Sequence, residues 1–547
     1  MDIGGTLDNF TRVISLRRVQ YCLTSKAFSM LDSSYKDEKE AFVSGMTGST
    51  VTHINLLSSV ALASIFVMYC AQTRTRISLN SISISWLILV LPLLLSMTLF
   101  ANWPATLFLL ISAPGCLLLL IQRKEIGTPL PSNLKSPTTP NPSLQEFHIA
   151  PRVEPLPSLT IYRSHMLLIT CLAILAVDFP VFPRSLVKCE TYGVSLMDIG
   201  VGSFVFSGGI ASAMPLIKTP SHLAAPLIPK MLRAMRKSLP IILLGIVRVL
   251  LVKGTEYPEH VSEYGVHWNF FITLALVPIM EVLLHPMMIH VSVTAIGIVA
   301  AIIQQLLLSK FSLSEYVLNA PRVDLISANK EGIVSLPGYF AIHLLGLTTG
   351  LLLLPPSPSY FRRIQRSLRT HSLNDRELAQ RYGVRQNDKT ATELSGYSIL
   401  WWVLMGLCSL FKLDGGNGVS RRMVNISYIF WICAYNVSFI LAYLLLDMVF
   451  FPSPSATPKN KRKLDGSSIS ASSAPPTSPA AIPHPLLDAV NKNGLVVFLV
   501  ANVGTGLINL TIPTMYTSDL WAMIILCGYS YAICIIAWVL RGVRLRL

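Results

Sequence analysis

Charged residues are scarce in this chain. Asp, Glu, Lys and Arg make up 13% of its 547 residues, whereas hydrophobic residues make up 52%. Soluble domains carry about 25% charged residues, so this composition cannot supply the surface of a soluble protein. Many apolar runs exceed the roughly 18 residues that a bilayer core requires. The sequence therefore predicts an all-α fold, a polytopic integral membrane bundle of about 13 transmembrane helices.

Several common functional signatures are also absent. The nine cysteines are scattered, with no CxxC pair and no metal-ligand spacing, so no metal site and no tightly bound cofactor are predicted. There is no GxSxG elbow, no P-loop and no HExxH pair. The net charge of +16 comes from loops between apolar runs. This placement indicates membrane topology and anionic headgroups, and no nucleic-acid partner is expected.

The distribution of polar segments predicts the topology. We expect residues 1–52 to form an N-terminal tail and residues 53–547 to form the membrane domain, with flexible cytosolic loops at 123–163 and 452–486. Loops after odd-numbered spans hold more Lys and Arg, which places the C-terminus in the cytosol and the N-terminus in the lumen. Asn9 starts an Asn-Phe-Thr sequon, which is usable only in a lumenal tail. The turns at 183–193, 254–265, 413–421 and 513–518 then share the lumenal side, as a single site requires.

The most informative stretch is DFPVFPRSLVKCETYGVSLMDIGVGSFVFSGG (178–209). Asp178 ends one apolar run, the following turn holds Arg184, Lys188 and Glu190, and Asp198 lies within the next run. A carboxylate at the centre of a membrane helix costs about 2.5–3.5 kcal/mol on insertion scales. Such a group is a candidate functional residue, and a buried ion pair or a hydrogen bond between helices is the alternative.

Small and polar residues form a stripe on the helix predicted over 194–215. Helical spacings of three and four align Thr191, Ser195, Asp198, Gly202, Val205 and Gly209. Another helix or a lipid substrate can approach such a stripe closely. A helix-packing seam is therefore as good an interpretation of the glycines as a substrate surface.

Further candidates lie near the predicted lumenal ends of later spans. The segment HVSEYGVHWNFF (260–271) supplies Glu263, His267 and Asn269. Arg248 and Lys253 lie at the end of the sixth span, where a cation either holds a phosphate or extends to the membrane interface. Glu281 and His285 lie near the cytosolic end of the seventh span, too far away to share this site, and are interpreted as a structural pair. The eighth span is expected to begin near Met287.

The last two motifs are LDGGNGVSRR (413–422) and LVANVGTGLINLTIPTM (499–515). Asp414 and Asn417 among glycines predict a tight turn or an anion-binding nest. Asn502 joins them as a substrate-binding candidate. Amides in or beside spans more often bond neighbouring helices than ligands, and this applies to Asn425, Asn436, Asn502 and Asn509.

Together these residues resemble a known family. The 178–209 stretch, EHVSEYGVHWNFFITLALVP, LDGGNGVSRRMVN and ANVGTGLINL are similar to the GPI-anchored wall transfer protein family, called PIG-W in mammals, and the insertions suggest a fungal member. The resemblance implies a multi-pass endoplasmic reticulum acyltransferase of GPI-anchor biosynthesis. It implies transfer of a palmitoyl-type chain from acyl-CoA, the co-substrate, to the inositol 2-hydroxyl of glucosaminyl-phosphatidylinositol. Ser185 and Leu186 depart from the more basic pattern expected there, and Cys189 replaces the usual Val.

The resemblance also implies roles for the charged residues. Asp178 and Lys188 match the family's Asp and Lys on either side of the FPxFPR turn, as a general base and a cationic stabiliser that fold back on each other. A structural salt bridge between them is the alternative. Asp198 and His267 are secondary candidates for orienting substrate or relaying the proton. The full substrate-binding prediction comprises Arg184, Glu190, Ser195, Asp198, Arg248, Lys253, Glu263, His267, Asn269, Asp414, Asn417 and Asn502.

Two other classes of function remain open from sequence. A lipid transporter or flippase would use the same small-residue seams and buried charges without covalent chemistry. A non-catalytic scaffold subunit would be active only with its partners. Substrate lipids, acyl-CoA and membrane lipids are the expected partners, and the sequence does not predict an oligomeric state.

Overall fold

The computed structural model describes residues 38–39, 41–75, 81–123, 156–253, 261–370, 385–451 and 483–545, without the side chains of 251–253 and 261. Asn9 and most of the loops predicted at 123–163 and 452–486 lie outside these ranges. The helices are α1 (Val51–Arg74), α2 (Ile82–Leu89), α3 (Leu91–Met97), α4 (Pro104–Leu119), α5 (Pro157–Ala176), α6 (Leu196–Lys218), α7 (Leu227–Lys253), α8 (Val261–Tyr264), α9 (Phe270–Leu283), α10 (His285–His290), α11 (Val293–Lys310), α12 (Leu313–Asn319), α13 (Leu325–Ala328), α14 (Lys330–Leu353), α15 (Tyr360–Arg369), α16 (Asn387–Leu410), α17 (Ile426–Phe450), α18 (Pro485–Lys492), α19 (Gly494–Thr511) and α20 (Asp519–Val539).

Most of these helices suit a membrane. Within the described residues, nine helical segments are long and apolar enough to cross a bilayer, and three shorter apolar helices accompany them. The nine are α1, α5, α6, α11, α14, α16, α17, α19 and the segment 519–542 that contains α20. The prediction of an all-α, polytopic membrane bundle is confirmed. Helix α7 differs because its first half is basic and only its second half is apolar.

Some helix boundaries differ from the sequence-based expectation. Helix α5 begins at Pro157, so the last residues of the loop predicted at 123–163 are helical. Pro157 is suited to a first helical turn, and Ser158, Leu159 and Thr160 of this turn are buried. In the next turn the Tyr162 hydroxyl donates to Oδ1 of Asn436 over 2.6 Å. The eighth span starts at Val293 and not near Met287, because Ser292 caps α11 and residues 285–290 form the separate helix α10.

Helices α6 and α14 pack in close contact near the centre of the bundle. In its membrane-spanning window, 89% of α14 is buried. A Cβ atom on Gly209 would lie 2.1 Å from the carbonyl oxygen of His343, and one on Gly346 would lie 2.2 Å from that of Phe206. The two helix backbones therefore touch, which only glycine permits at these positions. A Cβ on Gly202 would likewise meet Ile432 of α17 at 2.6 Å. The small-residue stripe of α6 is therefore a helix-packing seam at Gly202 and Gly209.

The helix directions define two ends of the bundle. The loop after α5, the starts of α6, α14 and α17 and the end of α19 are linked by side-chain bonds, so they share one end. The ends of α14 and α6 and the start of α16 consequently lie at the other. At that other end Glu281 lies between two imidazoles, 2.6 Å from Nε2 of His343 and 3.5 Å from Nε2 of His285. Glu281 and His285 thus pair as predicted, and His343 completes the group.

Candidate functional site

Loops that are far apart in sequence meet at the first end of the bundle. Lys188, in the turn after α5, contacts Glu263 of α8. Arg421, just before α17, contacts Asp198 of α6. Thr514, which follows α19, donates to Asn509, and Asn509 in turn donates to Asp178. All four turns assigned to one side from the sequence therefore contribute side chains at this end, and its charged residues Lys39, Asp178, Lys188, Asp198, Glu263 and Arg421 are called the charged cluster.

Asp178 is buried, with 3% of its surface exposed, and has two polar partners. Its Oδ2 accepts a 2.8 Å hydrogen bond from the amide of Asn509, and its Oδ1 lies 3.4 Å from Nζ of Lys39. Lys39 also donates to Oδ1 of Asn509 over 2.8 Å. Asp178, Lys39 and Asn509 therefore form one hydrogen-bonded group between the turn after α5, the segment before α1 and the end of α19.

Arg184 fastens the turn that follows α5. Its guanidinium donates to the carbonyl oxygens of Val177, Phe179 and Phe182 at 2.6–3.1 Å, and it stacks 4.0 Å from the ring centroid of Phe42. Burial lowers the pKa of Arg184 to about 10, although nearby Asp178 acts in the opposite direction. These carbonyls belong to the C-cap residue of α5 and to the turn that follows it, so Arg184 holds this turn together. The structure thus gives Arg184 a structural role, and substrate binding by it stays a prediction.

Lys188 pairs with Glu263. Its Nζ lies 2.8 Å and 3.0 Å from the two carboxylate oxygens, and its side chain is 32% exposed. The prediction that Asp178 and Lys188 fold back on each other is not what the structure shows, since each has a different partner. The reason is local: the turn places Asp178 against the end of α19 and directs Lys188 towards α8.

Asp198 forms a fully buried ion pair with Arg421. Nε of Arg421 donates to Oδ1 of Asp198 over 2.6 Å, and Oδ2 accepts from the Ser195 hydroxyl at 2.7 Å and from the Cys189 amide at 3.1 Å. Ser195 also caps α6 by accepting from the Asp198 amide. An acidic residue in the first helical turn suits the helix dipole. Because Asp198 binds the amide next to Lys188, it holds the turn that carries this lysine.

Arg421 is the most enclosed cation of the cluster. Burial alone would lower its pKa, but Glu263 and Asp198 outweigh burial and raise the pKa of Arg421 well above its ordinary value. It therefore carries a permanent charge between two carboxylates. Its buried Nη1 has no hydrogen-bond partner among the described residues. A buried donor that lacks a hydrogen-bond partner lowers the stability of a fold by about 1–3 kcal/mol.

A second buried ion cluster adjoins the first. Glu331, at the start of α14, is 0% exposed and contacts Arg322 at 2.6 Å and Arg422 at 2.9 Å. Arg422 follows Arg421 directly, so one dipeptide before α17 joins α6 to α14. Removing one member of such a buried cluster strands the others, which is strongly destabilising.

The chain before α1 packs on the same turn. Ser49 donates to the Val194 carbonyl over 2.7 Å, and the Gly45 amide donates to Glu190 over 3.0 Å. Gly193 adopts a φ of +138°, and a Cβ there would lie 2.2 Å from the Thr47 carbonyl. Residues 41–50 are thus part of the site region, whereas the sequence placed them in a separate tail.

Other predicted substrate-binding residues have local structural partners. Asn269 caps α9 and donates to the Gly245 carbonyl over 2.7 Å. Asp414 accepts from the Gly416 amide and from the Ser427 hydroxyl, at 3.0 Å and 2.8 Å. Asn502 donates to the Phe498 carbonyl one turn earlier in its own helix. These bonds fit the tight-turn and helix-bonding interpretations, and ligand binding by these residues stays a prediction.

The remaining predicted residues are more exposed. Asn417 contacts the Tyr192 hydroxyl at 3.4 Å, and the His267 amide donates to Oδ1 of Asn329 over 2.8 Å. Arg248 is exposed on α7. The side chain of Lys253 lies outside the described residues. Roles for these residues in substrate binding also stay predictions.

The structure adds residues that the sequence analysis did not single out as site candidates. Arg421 and Arg422 were part of the motif LDGGNGVSRR, and two adjacent arginines at the start of an apolar span are a usable signal, because their charges require partners. Asn509 was expected to bond a neighbouring helix, and it instead bonds Asp178 in the turn after α5. No sequence pattern indicates a role for Lys39 in the site, since it lies among mixed charges in a polar segment.

Comparison with known proteins matches residues 35–540 to a family model described as GWT1. The chain belongs to the GWT1 family. It is 34% identical to GPI-anchored wall transfer protein 1 of Aspergillus fumigatus, over 94% of this chain and 99% of that protein. It is 36% identical to the protein of that name from Eremothecium gossypii, over 94% and 99%. With the one from Cryptococcus neoformans var. grubii it shares 42% identity, over 72% of this chain and 63% of that longer relative. The GWT1 match begins before Lys39 and includes every described residue of the charged cluster.

Proposed function

We propose that this chain is an acyltransferase of GPI-anchor biosynthesis. It transfers a palmitoyl-type chain from acyl-CoA to the inositol 2-hydroxyl of glucosaminyl-phosphatidylinositol. The observation that carries the proposal is the family match over 35–540, which spans the whole cluster of buried charges. Acyl-CoA and the glycolipid are substrates, and no bound cofactor takes part.

The reaction needs a base for the inositol hydroxyl. We assign this role to Asp178, the buried carboxylate of the turn, which contacts Lys39 and Asn509. As the hydroxyl oxygen attacks the thioester carbonyl carbon, its proton passes to the Asp178 carboxylate. A positioned base typically contributes 10²–10⁴-fold to the rate. Because Asp178 is buried, substrate entry must displace part of its cover, which includes the side chains of Lys39 and Asn509.

The reaction also needs a group that stabilises the negative charge on the thioester oxygen. Lys188 is the most accessible cation of the cluster, with its ammonium held by Glu263. Loss of one oxyanion donor costs roughly 3–4 kcal/mol in well-studied hydrolases. The intermediate then collapses, the carbon–sulfur bond breaks, and the CoA thiolate takes the proton from Asp178. In the net reaction, one ester is formed, one thioester is cleaved and one thiol is released.

The proposal includes a cellular setting. We place the protein in the endoplasmic reticulum membrane. The N-terminus and the charged cluster lie on the lumenal side and the C-terminus in the cytosol, because Lys and Arg predominate in the loops at the end of the bundle away from the cluster. A mobility shift after endoglycosidase treatment that is lost in Asn9→Gln would support this orientation. Glycosylation-site insertion in the 452–486 loop that acquires glycan would contradict it.

The decisive experiment supplies purified protein with palmitoyl-CoA and glucosaminyl-phosphatidylinositol and identifies the product by mass spectrometry. An acyl chain on inositol supports the proposal. Movement of the glycolipid across vesicles without covalent change would instead indicate a transporter. Asp178→Asn and Lys188→Ala should abolish acylation per folded molecule, with expression and thermal unfolding of each variant measured alongside. Full acylation by both folded variants would remove these residues from the chemistry.

A further inference from the structure

A groove of about 570 Å³ lies at the end of the bundle opposite the charged cluster. It is lined by Ser357 and Ser359 from the loop after α14, by Arg362 from α15, and by Lys389 and Gly396 from α16. Helix α14 fixes this location, because Glu331 in its first turn contacts Arg422, the residue after Arg421 of the charged cluster, whereas Ser357 follows its last turn. The groove is therefore separate from the site proposed for acyl transfer.

One part of the groove suits an anion. Arg362 and Lys389 supply two cations, and the hydroxyl groups of Ser357 and Ser359 supply donors. Glu393 also lines the groove, but it lies 3.8 Å from Arg362 in an exposed pair, and such pairs contribute little. Helix α16 begins there, and Asp388 in its first turn offsets the positive potential of the uncapped amide groups, so Arg362 and Lys389 are the cations that an anion would contact.

The other part of the groove is apolar and open. It follows α16 from Gly396 to Tyr397 and Leu400, and Ile399 and Val403 continue an exposed apolar surface along the same helix. A Cβ on Gly396 would meet nothing within 4 Å. This glycine serves no close helix contact, although glycine within a helix costs about 1 kcal/mol relative to alanine. Its effect is to leave space beside the helix.

Helix α15, which borders the groove, is amphipathic. Its apolar residues Tyr360, Phe361, Ile364 and Leu368 are buried against the bundle, and Arg363 and Arg366 are exposed. These exposed arginines lie just beyond the end of α14, a helix suited to span the membrane, and cations at that level attract anionic lipid headgroups. The groove thus opens where phosphate groups and acyl chains meet.

We propose that this groove binds one anionic glycerophospholipid, with its phosphate between Arg362 and Lys389 and the start of one acyl chain beside Gly396. A single phosphate matches two cations that are partly balanced by Glu393. The headgroup of coenzyme A, with several phosphates and an adenine ring, would require more positive charge. This site lies beyond the proposed reaction and does not depend on it.

The test compares two glycines of α16. Gly396 and Gly406 are both exposed, and a Cβ on either meets nothing within 4 Å, but only Gly396 lines the groove. Native mass spectrometry of the detergent-solubilised full chain, titrated with phosphatidic acid, should show one tightly bound lipid. Gly396→Leu should weaken this binding at least tenfold, whereas Gly406→Leu should leave it unchanged, with equal thermal unfolding of both. Equal binding by the two variants would overturn the proposal.

Two further experiments distinguish an anionic phospholipid from a neutral lipid and from acyl-CoA. Replacement of both groove cations, Arg362→Gln with Lys389→Gln, should remove the preference for phosphatidic acid over phosphatidylcholine, whereas Arg363→Gln outside the groove should retain it. Palmitoyl-CoA should not compete with the bound lipid. Competition that is lost in Gly396→Leu would assign the groove to acyl-CoA and overturn the phospholipid assignment.

Discussion

Lys188 and Glu263 form a two-point ion pair, with Nζ of the lysine 2.8 Å and 3.0 Å from the two carboxylate oxygens. The pair joins the turn after α5 to the short helix before α9. Glu263 also lies close enough to Arg421 to raise the pKa of that residue, so one carboxylate faces two cations. Lys188 is therefore positioned by a partner on another loop and not by Asp178.

Removal of Glu263 should impair catalysis more than binding. In Glu263→Ala, Lys188 loses both acceptors and samples other positions, and misplacement of a catalytic group by about 1 Å can cost on the order of 10²-fold. We expect kcat to fall by that order and the KM for acyl-CoA to change less, as measured by product formation with the purified protein. Asp519→Asn, an exposed carboxylate at the same end of the bundle, should keep the native rate. Native turnover by Glu263→Ala would show that the pair does not position Lys188.

Asp198 and Arg421 should each stabilise the fold only while the other is present. Asp198→Asn leaves a buried arginine without its carboxylate, and this should cost about 3–5 kcal/mol. The double variant Asp198→Asn with Arg421→Met should cost less than the sum of the single variants, because neither charge is left alone. Glu315→Gln, at an exposed carboxylate, should change stability by less than about 0.5 kcal/mol. Strictly additive costs in denaturant unfolding would argue against a coupled pair.

Cys189 should be chemically inert in the folded protein. Burial raises the pKa of its thiol above the ordinary 9.0, and the neighbouring Asp198 adds to this effect. The folded state therefore holds the proton more tightly than the unfolded state. This contribution to stability is complete below about pH 9 and is lost as the pH rises towards the folded pKa.

Two measurements check the prediction for Cys189. Mass spectrometry after maleimide treatment should find this thiol unlabelled in the folded protein and labelled after denaturation. Cys189→Ala should keep acyl transfer and should lose less stability than the native chain between pH 9 and pH 10. Rapid labelling of the folded protein, or loss of activity in a stable Cys189→Ala variant, would point to a reactive thiolate.

The sequence predicted the membrane class and the grouping of the loops because both depend on local composition. Apolar runs define spans, and alternate loops share a side. It did not predict the partners of the charges, because pairing depends on how the helices pack. The separation of Asp178 and Lys188 by only ten residues suggested contact, yet their partners are Asn509, more than 300 residues away, and Glu263.

The interpretation of the glycine stripe shows the same limit. Spacing placed Gly202 and Gly209 on one side of α6, which left a helix seam and a lipid surface equally open. Only the position of α14 and α17 decides between them. Likewise, Arg421 and Arg422 were visible as a dipeptide, but the two carboxylates that they contact lie on helices far away in the chain.

Two neighbouring glycines of α6 should respond differently to the same substitution. Gly209→Ala places a methyl group 2.1 Å from the His343 carbonyl, so α6 and α14 must separate. Overpacking of this kind costs about 1–3 kcal/mol. Gly208→Ala meets only Nδ1 of His343, at 3.8 Å, and should be neutral or stabilising because alanine favours helix.

Thermal unfolding in one detergent separates these two effects. Gly346→Ala, on the opposite side of the contact, should lower the melting temperature as Gly209→Ala does, because its methyl group would lie 2.2 Å from the Phe206 carbonyl. Acyl transfer should fall with stability in both, since α6 carries Asp198 and α14 carries Glu331. Equal melting temperatures for the alanine variants at 208 and 209 would show that α6 and α14 do not touch at this position and that a lipid chain has room between them.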